Sequence, residues 1–232
     1  MVSGGGGGGR GGEEGRYGRL RAQMVEGQIA RRGISDERVL SAMRCVKRHL
    51  FVPMAQRGAA YEDHPLPIGG GQTISQPYMV AKVTEEARVE RGERALEVGS
   101  GCGYQAAVLA EMGADVFCIE RLVRLYEVSL ENLRAAGYEG IEVRHGDGYL
   151  GWPEAAPFDV IVVSAAAEEV PQALLAQLAE GGRLVMPVGV SFSQVLTVCT
   201  KTGGRVTRSD VCGCVFVPLV SGTGERSEDM HG

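Results

Sequence analysis

Beyond Glu93 the chain alternates short apolar runs with longer stretches of mixed polarity. Five runs read as buried strands, at 94–98, 115–119, 141–145, 158–163 and 182–188. Apolar runs of that length, bounded by turn residues, have strand character. Between them, residues 103–113, 122–136 and 169–179 carry helical spacing, and Gly113 and Gly137 sit where glycine ends a helix. Strands separated by helices predict an α/β fold with a doubly wound, mostly parallel sheet covered on both faces. The pattern then changes. Residues 193–199 and 205–217 follow one another as strands around Thr202-Gly203-Gly204, which predicts a C-terminal antiparallel hairpin.

Upstream of the sheet the spacing predicts N-terminal helices. One runs from Leu20 to Arg32 and stops at Gly33. A second follows Ser35 and Asp36, both suited to cap its first turn, and reaches Met43. A third spans Tyr78 to Glu90. Residues 61–72 hold Pro65, Pro67 and Gly69-Gly70-Gly71 and are expected to lack regular structure. A loop of that length inside a compact domain usually carries function.

Composition narrows the class. The chain has 232 residues, 44% of them hydrophobic, enough to bury one substantial core. Its net charge of -5 argues against non-specific nucleic-acid binding. No apolar run approaches the roughly 20 residues that span a bilayer. The first residues lack a signal-peptide core, so a cytoplasmic protein without membrane association is expected. Six cysteines form no C-x-x-C pair and are expected to be reduced. Four histidines show no metal-ligand spacing, and no metal is expected. Residues 1–18 contain ten glycines and almost nothing apolar, so residues 1–19 are expected to form a disordered head.

The densest chemistry lies in Arg94-Ala-Leu-Glu-Val-Gly-Ser-Gly-Cys-Gly-Tyr104. A buried strand breaks there into a glycine turn and then opens a helix. Gly99, Gly101 and Gly103 remove side chains where a ligand would approach the backbone. Glu120 ends the next strand, close to the roughly 20-residue spacing of an acid that binds ribose hydroxyls. Alternatively it caps the following helix. Together these features predict an adenosine-containing cofactor. A pyrophosphate loop would read G-x-G-x-x-G. Here Tyr104 stands near the place of the later glycine, and Glu97 precedes the turn. An acid there suits an ammonium or sulfonium better than a pyrophosphate. Ligands of open α/β sheets lie beyond the carboxyl ends of the strands. That rule adds Ser100 and Cys102 in the turn, Asp147-Gly148 after the third strand, and Ser164-Ala165 after the fourth. Asp147 is placed either to accept from an adenine amino group or to stabilise its own turn. Cys102 either touches ligand or fills space.

The glycine turn resembles the first motif of S-adenosylmethionine-dependent methyltransferases. A second segment, Pro67-Ile-Gly-Gly-Gly-Gln-Thr-Ile-Ser-Gln-Pro77, is more specific. With Gly146-Asp-Gly148, Trp152, Phe158-Asp159, Gly181-Gly182-Arg183 and Phe216-Val-Pro-Leu219, it is similar to protein-L-isoaspartate O-methyltransferases from about Met24 to Val220. The resemblance implies a methyltransferase type of Rossmann-like sheet. It also implies S-adenosyl-L-methionine as methyl donor, S-adenosyl-L-homocysteine as product, and isoaspartyl proteins and peptides as substrates, handled by a monomer. Ser75 matches the family's active-site serine. Gln72, Thr73, Ile74, Val217 and Pro218 match segments that border the substrate. Val215 departs from the pattern, since bacterial relatives often carry a basic residue there, and Ser164 replaces a frequent threonine. On this reading one domain spans 20–222. Residues 20–90 form its helical and substrate-loop part, 91–190 the cofactor-binding core, 191–222 the terminal strands, and 223–232 a flexible tail.

The chemistry implied is simple. An α-carboxyl group ionises near pH 3.3–3.7, so it needs no strong base before attacking a methyl group. Alignment is what remains. Ser75 is therefore expected to position the carboxylate, to cap the helix before Tyr78, or both. Three rivals compete. Thr73-Ile-Ser-Gln-Pro77 and the net charge count against a methyltransferase for RNA or small molecules. Intact Glu97, Glu120, Asp147 and Ser75 count against a silent cofactor-binding module. Tyr104 counts against a nicotinamide-dependent dehydrogenase.

Overall fold

The computed structural model describes residues 8–191 and 193–224. Helix α1 (Gly8–Met24) continues through a π turn (Val25–Ile29) and a 3-10 turn (Ala30–Arg32) to Gly33. The expected structureless head is thus corrected over residues 8–19, which are helical. Tyr17 supplies a reason. Its ring is buried and stacks on His49 at 3.9 Å, and Leu20 packs on the core one turn later. These contacts oppose the cost of helical glycine, about 1 kcal/mol each at Gly15 and Gly18. Gly224, read from sequence as flexible tail, bridges Leu122 and donates its amide to the Arg121 carbonyl at 2.9 Å. Residues 1–7 and 225–232 lie outside the described residues.

Helix α2 (Glu37–Cys45) starts where the Asp36 side chain accepts from the Arg38 amide. The proline- and glycine-rich loop is also corrected. Strands β1 (Leu66–Gly69) and β2 (Gln72–Ile74) pair antiparallel within it. Gly70 and Gly71 turn between them with φ of 57° and 66°, the two positive values a tight hairpin turn requires. A two-stranded ribbon is all edge, so Pro67 is tolerated. Helix α3 (Pro77–Ala87) then begins on a proline whose missing amide has no helical partner to lose.

The central sheet has seven strands: β3 (Arg94–Val98), β4 (Asp115–Glu120), β5 (Glu142–His145), β6 (Phe158–Val163), β7 (Leu178–Val190), β8 (Ser193–Thr202) and β9 (Arg205–Cys214). Their spatial order is β5-β4-β3-β6-β7-β8-β9. The first five are parallel and the last two antiparallel. Helices α4 (Tyr104–Glu111), α5 (Val123–Ala136) and α6 (Gln172–Ala176) make the crossovers. This is the doubly wound, mostly parallel architecture that the periodicity predicts.

Side chains alternate between two cores, as strand geometry demands. Ala95, Val116, Cys118, Val160 and Val162 join the core under α3, α4 and α5. Leu96, Val98, Phe117, Ile119, Ile161 and Val163 join the core on the opposite face with Leu174 of α6. Both faces are buried, which is why these strands read as near-continuous apolar runs. Glu97 shares the face of Ala95, so the fold buries a carboxyl group. Strand β7 starts four residues earlier than expected and α6 ends sooner, because Leu178 already pairs with Phe158. Strand β9 stops at Cys214, and residues 215–220 leave the sheet.

The order in which strands are added reverses between the parallel neighbours β3 and β6. The chain runs from β3 outward to β5, then returns to β6 and proceeds to β7. A crevice opens where carboxyl ends diverge in this way.

Candidate active site

A cavity of about 1060 Å³, open to solvent, lies at that reversal. Its floor is the turn after β3. Gly99, Gly101 and Gly103 have φ of 85°, 52° and 90°, values that L side chains rarely adopt. The Gly99 and Ser100 amides both donate to the Ile119 carbonyl, at 2.8 and 3.2 Å. Glu120 locks the turn from the neighbouring strand. Its Oε2 accepts from the Gly101 amide and its Oε1 from the Leu122 amide, both at 2.9 Å. Burial raises the Glu120 pKa, and these amides oppose the shift. The Ser100 hydroxyl is buried without a hydrogen-bond partner among the described residues. An unpaired hydroxyl beside opened backbone is a place prepared for a polar ligand.

Glu97 is 1% exposed. The Ser164 hydroxyl donates to its Oε1 at 3.1 Å, and the Cys118 thiol approaches Oε2 at 3.8 Å. Burial pushes its pKa up to about 8. The Ser164 hydrogen bond works against that shift, and the like charge of Glu120 adds to it. A carboxyl group held this way stays largely protonated at neutral pH until a cation arrives beside it.

Two further segments, far apart in sequence, line the cavity. One is Gln72–Ser75, on and just after β2. Ser75 is half-buried, and its hydroxyl bonds to no described residue. The other is Phe216–Val220. Gln194 on β8 grips the Phe216 backbone at both ends: its Oε1 accepts from the amide at 2.6 Å, and its Nε2 donates to the carbonyl at 3.0 Å. The Ala166 amide donates to the Val217 carbonyl at 2.8 Å, and the Leu219 amide to the Ala166 carbonyl at 2.6 Å. The segment is thereby pinned across the ends of β6 and β7.

Most residues singled out from sequence meet here. Gln72, Thr73, Ile74, Ser75, Val217 and Pro218 line the cavity. Glu97, Gly99, Ser100, Gly101, Cys102, Glu120, Gly148, Ser164 and Ala165 line it too. Two do not line it. Gly103 lies under the turn, where an added Cβ would meet Leu133 at 3.0 Å. Asp147 is not among the lining residues: its Oδ1 accepts from the Tyr149 amide at 2.9 Å and its Oδ2 from the Gly222 amide at 2.6 Å. The turn-stabilising contact of its sequence reading is present. Ser75 does not cap α3, since Gln76 holds that position. The sequence reading missed Ile68, Arg121, Leu122, Phe216 and Leu219, which also line the cavity. Arg121 and Leu122 directly follow Glu120 at a strand end, a signal that was available. Ile68 was hidden by the reading of its segment as irregular.

The arrangement offers one crevice lined by two carboxyl groups, opened backbone, apolar side chains and the Ser75 hydroxyl. Among the described residues no group of histidine, cysteine and acidic side chains is placed to hold a metal.

Comparison with known proteins agrees with this geometry. The protein-L-isoaspartate(D-aspartate) O-methyltransferase family profile matches residues 19–224. The chain is 53% identical over 210 residues to a protein-L-isoaspartate O-methyltransferase of Methanoculleus marisnigri, covering 90% of this chain and 96% of that one. It is 54% identical to one of Methylorubrum extorquens, covering 88% and 90%. Among solved structures, a Plasmodium falciparum chain of the same name, in complex with S-adenosyl-L-homocysteine, superposes with a TM-score of 0.77 at 31% identity, covering 86% of this chain and 98% of that one.

Proposed function

Because the chain belongs to the protein-L-isoaspartate(D-aspartate) O-methyltransferase family, we propose how its own residues carry out that family's reaction. The activity is transfer of a methyl group from S-adenosylmethionine to the free α-carboxylate of L-isoaspartyl residues in damaged proteins. Bound donor supplies an activated methyl group on a sulfonium, whose sulfur leaves as a neutral thioether. The fit to this cavity rests on the partnerless Ser100 hydroxyl, the opened glycine turn and the two carboxyl groups.

Glu120 accepts the ribose hydroxyls with the lone pairs its two amide donors leave free. Glu97 meets the donor's positive charge. Ser75 donates its hydroxyl to the substrate carboxylate and holds one oxygen toward the methyl group. No side chain needs to take a proton, because the attacking oxygen is already ionised. Gln72, Thr73, Ile74, Val217 and Pro218 border the isoaspartyl residue and keep water from the reacting atoms. The observation that carries this assignment is the single cavity that joins Ser75 to Glu97 and Glu120. The net charge of -5 favours an enzyme with no nucleic-acid partner. Among the described residues no helix is long and apolar enough to cross a membrane.

Peptides differing only in isoaspartate versus aspartate, supplied with labelled donor, test the assignment. Base-labile label should appear on the isoaspartyl peptide alone. Equal labelling of both, or donor binding without transfer, would reject it.

The raised Glu97 pKa gives a second expected result. The unfolded carboxyl ionises near pH 4.3, whereas in the folded protein its pKa is about 8. Between those values the folded state holds the extra proton, so stability of the donor-free protein falls as pH rises through that window. A cationic donor beside Glu97 expels the proton. Calorimetric titration near pH 7, in buffers of different ionisation enthalpy, should show release of about one proton per donor bound. Donor affinity should strengthen toward pH 8. Zero release would remove Glu97 from the donor site.

A further inference from the structure

Arg48 sits in a short 3-10 turn (Arg48–Leu50) and is completely buried. Its Nε donates to the Ala60 carbonyl and its Nη2 to the Ser75 carbonyl, both at 2.8 Å. The guanidinium carbon stands 4.9 Å from the centre of the Tyr104 ring, and Tyr104 lines the cavity. Nη1 is buried with no hydrogen-bond partner among the described residues. The groups near it that could become anions are Tyr104, whose hydroxyl also interacts with the guanidinium, Cys102 and Tyr61. Burial raises the pKa of all three, that of Cys102 to about 12, so each stays neutral. Arg48 is a cation enclosed by neutral groups, directly behind the backbone of Ser75.

Such a charge is costly to bury unless an anion completes its surroundings. Two carbonyl groups and one aromatic face offset part of that cost. A tie between Ala60 and Ser75 alone would need only a neutral donor. We propose that Arg48 is a positioning residue for the substrate: it fixes the Ser75 main chain through its carbonyl, and its unpaired charge draws the isoaspartyl α-carboxylate to the Ser75 side chain. This inference rests on the reading that Ser75 receives the carboxylate.

Charge separates binding from turnover here. The carboxylate carries its full charge in the bound complex and loses it as oxygen bonds to the methyl carbon. A nearby cation therefore favours bound peptide more than the transition state, and its signature lies in KM for the peptide rather than in kcat. Fixing the Ser75 main chain has the complementary signature, in kcat.

Arg48→Met and Arg48→Lys divide the two roles. Arg48→Met should raise peptide KM about tenfold or more, while donor affinity stays within about twofold. Arg48→Lys keeps the charge but loses the planar fork, so peptide KM should stay within about threefold while kcat falls. An unchanged peptide KM in Arg48→Met overturns the proposal. So does an equal loss of peptide and donor affinity in both variants, the mark of a merely structural residue.

The unaltered protein provides a test that does not depend on either variant folding. Loaded with S-adenosyl-L-homocysteine, it should bind an isoaspartyl peptide about tenfold or more tightly than the same peptide with an α-carboxamide. That ratio should change less than about twofold between low and high salt, since a buried charge is poorly screened. Collapse of the ratio at high salt would assign recognition to exposed cations and overturn the proposal. Ser75→Ala distinguishes the two layers. If it leaves turnover intact, the underlying reading fails. If it slows turnover while Arg48→Met leaves peptide KM unchanged, only the role of Arg48 fails.

Discussion

Glu120→Ala should weaken donor binding by about 100-fold or more. Hydrogen bonds to a charged acceptor contribute about 1.5–3 kcal/mol each, and the ribose would lose two. The loss reaches beyond the ligand. The Gly101 and Leu122 amides both donate to this carboxylate at 2.9 Å, in surroundings that leave Glu120 only 5% exposed. Removing it strands both donors, at a cost of about 1–3 kcal/mol for each one that water does not reach. The variant should therefore melt earlier even without donor, and the glycine turn should exchange its amide hydrogens faster. Glu120→Gln should fall between, since an amide oxygen can serve one backbone donor while its nitrogen faces the other. Calorimetry and thermal melts on the three proteins measure both effects. Donor affinity within about threefold of the parent in Glu120→Ala would sink the ribose assignment.

Ser75→Ala should lower kcat for isoaspartyl peptides by about 10- to 100-fold, the range expected when a reacting group is held less accurately. Donor affinity should stay within about twofold, because Ser75 shares no hydrogen bond with Glu97 or Glu120. The serine is not a nucleophile in this account, so activity should fall without vanishing, and no label should accumulate on the protein itself. Ser75→Thr keeps a hydroxyl and should recover part of the rate. Single-turnover kinetics at saturating donor separate the chemical step from binding. Parallel loss of donor affinity and turnover in Ser75→Ala would show that the residue supports the fold of the site instead.

Much of this molecule was legible in its sequence for a definite reason. The strands 94–98 and 158–163 are buried on both faces, so their apolar runs stop at the residues that turn toward the crevice. The same geometry made Glu97 conspicuous, since a carboxyl inside such a run needs a cause. What was misread came from competing local signals. Pro65, Pro67 and three glycines were taken to forbid structure, yet Gly70-Gly71 between short apolar runs is itself a hairpin signal. The glycine-rich head was weighed by composition alone, whereas Tyr17 and Leu20 anchor α1 through contacts with residues distant in sequence. Asp147 sits at the strand end that the rule selects, and there it also accepts from two backbone amides; the one from Gly222, 75 residues away, left no local signal. Arg48 gave no local signal. Its place behind Ser75 depends on the tertiary approach of segments 27 residues apart.

The division of the crevice between early and late segments bears on when the enzyme first becomes competent. Synthesis proceeds from the N-terminus, and domains begin to form in that order. Ser75 and the glycine turn emerge from the ribosome long before Phe216–Val220, the segment that Gln194 and Ala166 hold across the crevice. A nascent chain can gather its donor-binding half and Ser75 while Phe216–Val220 is still inside the exit tunnel. Methylation should therefore begin only after residue 220 has cleared the tunnel, and stalled chains ending near residue 190 should show no transfer to isoaspartyl peptides.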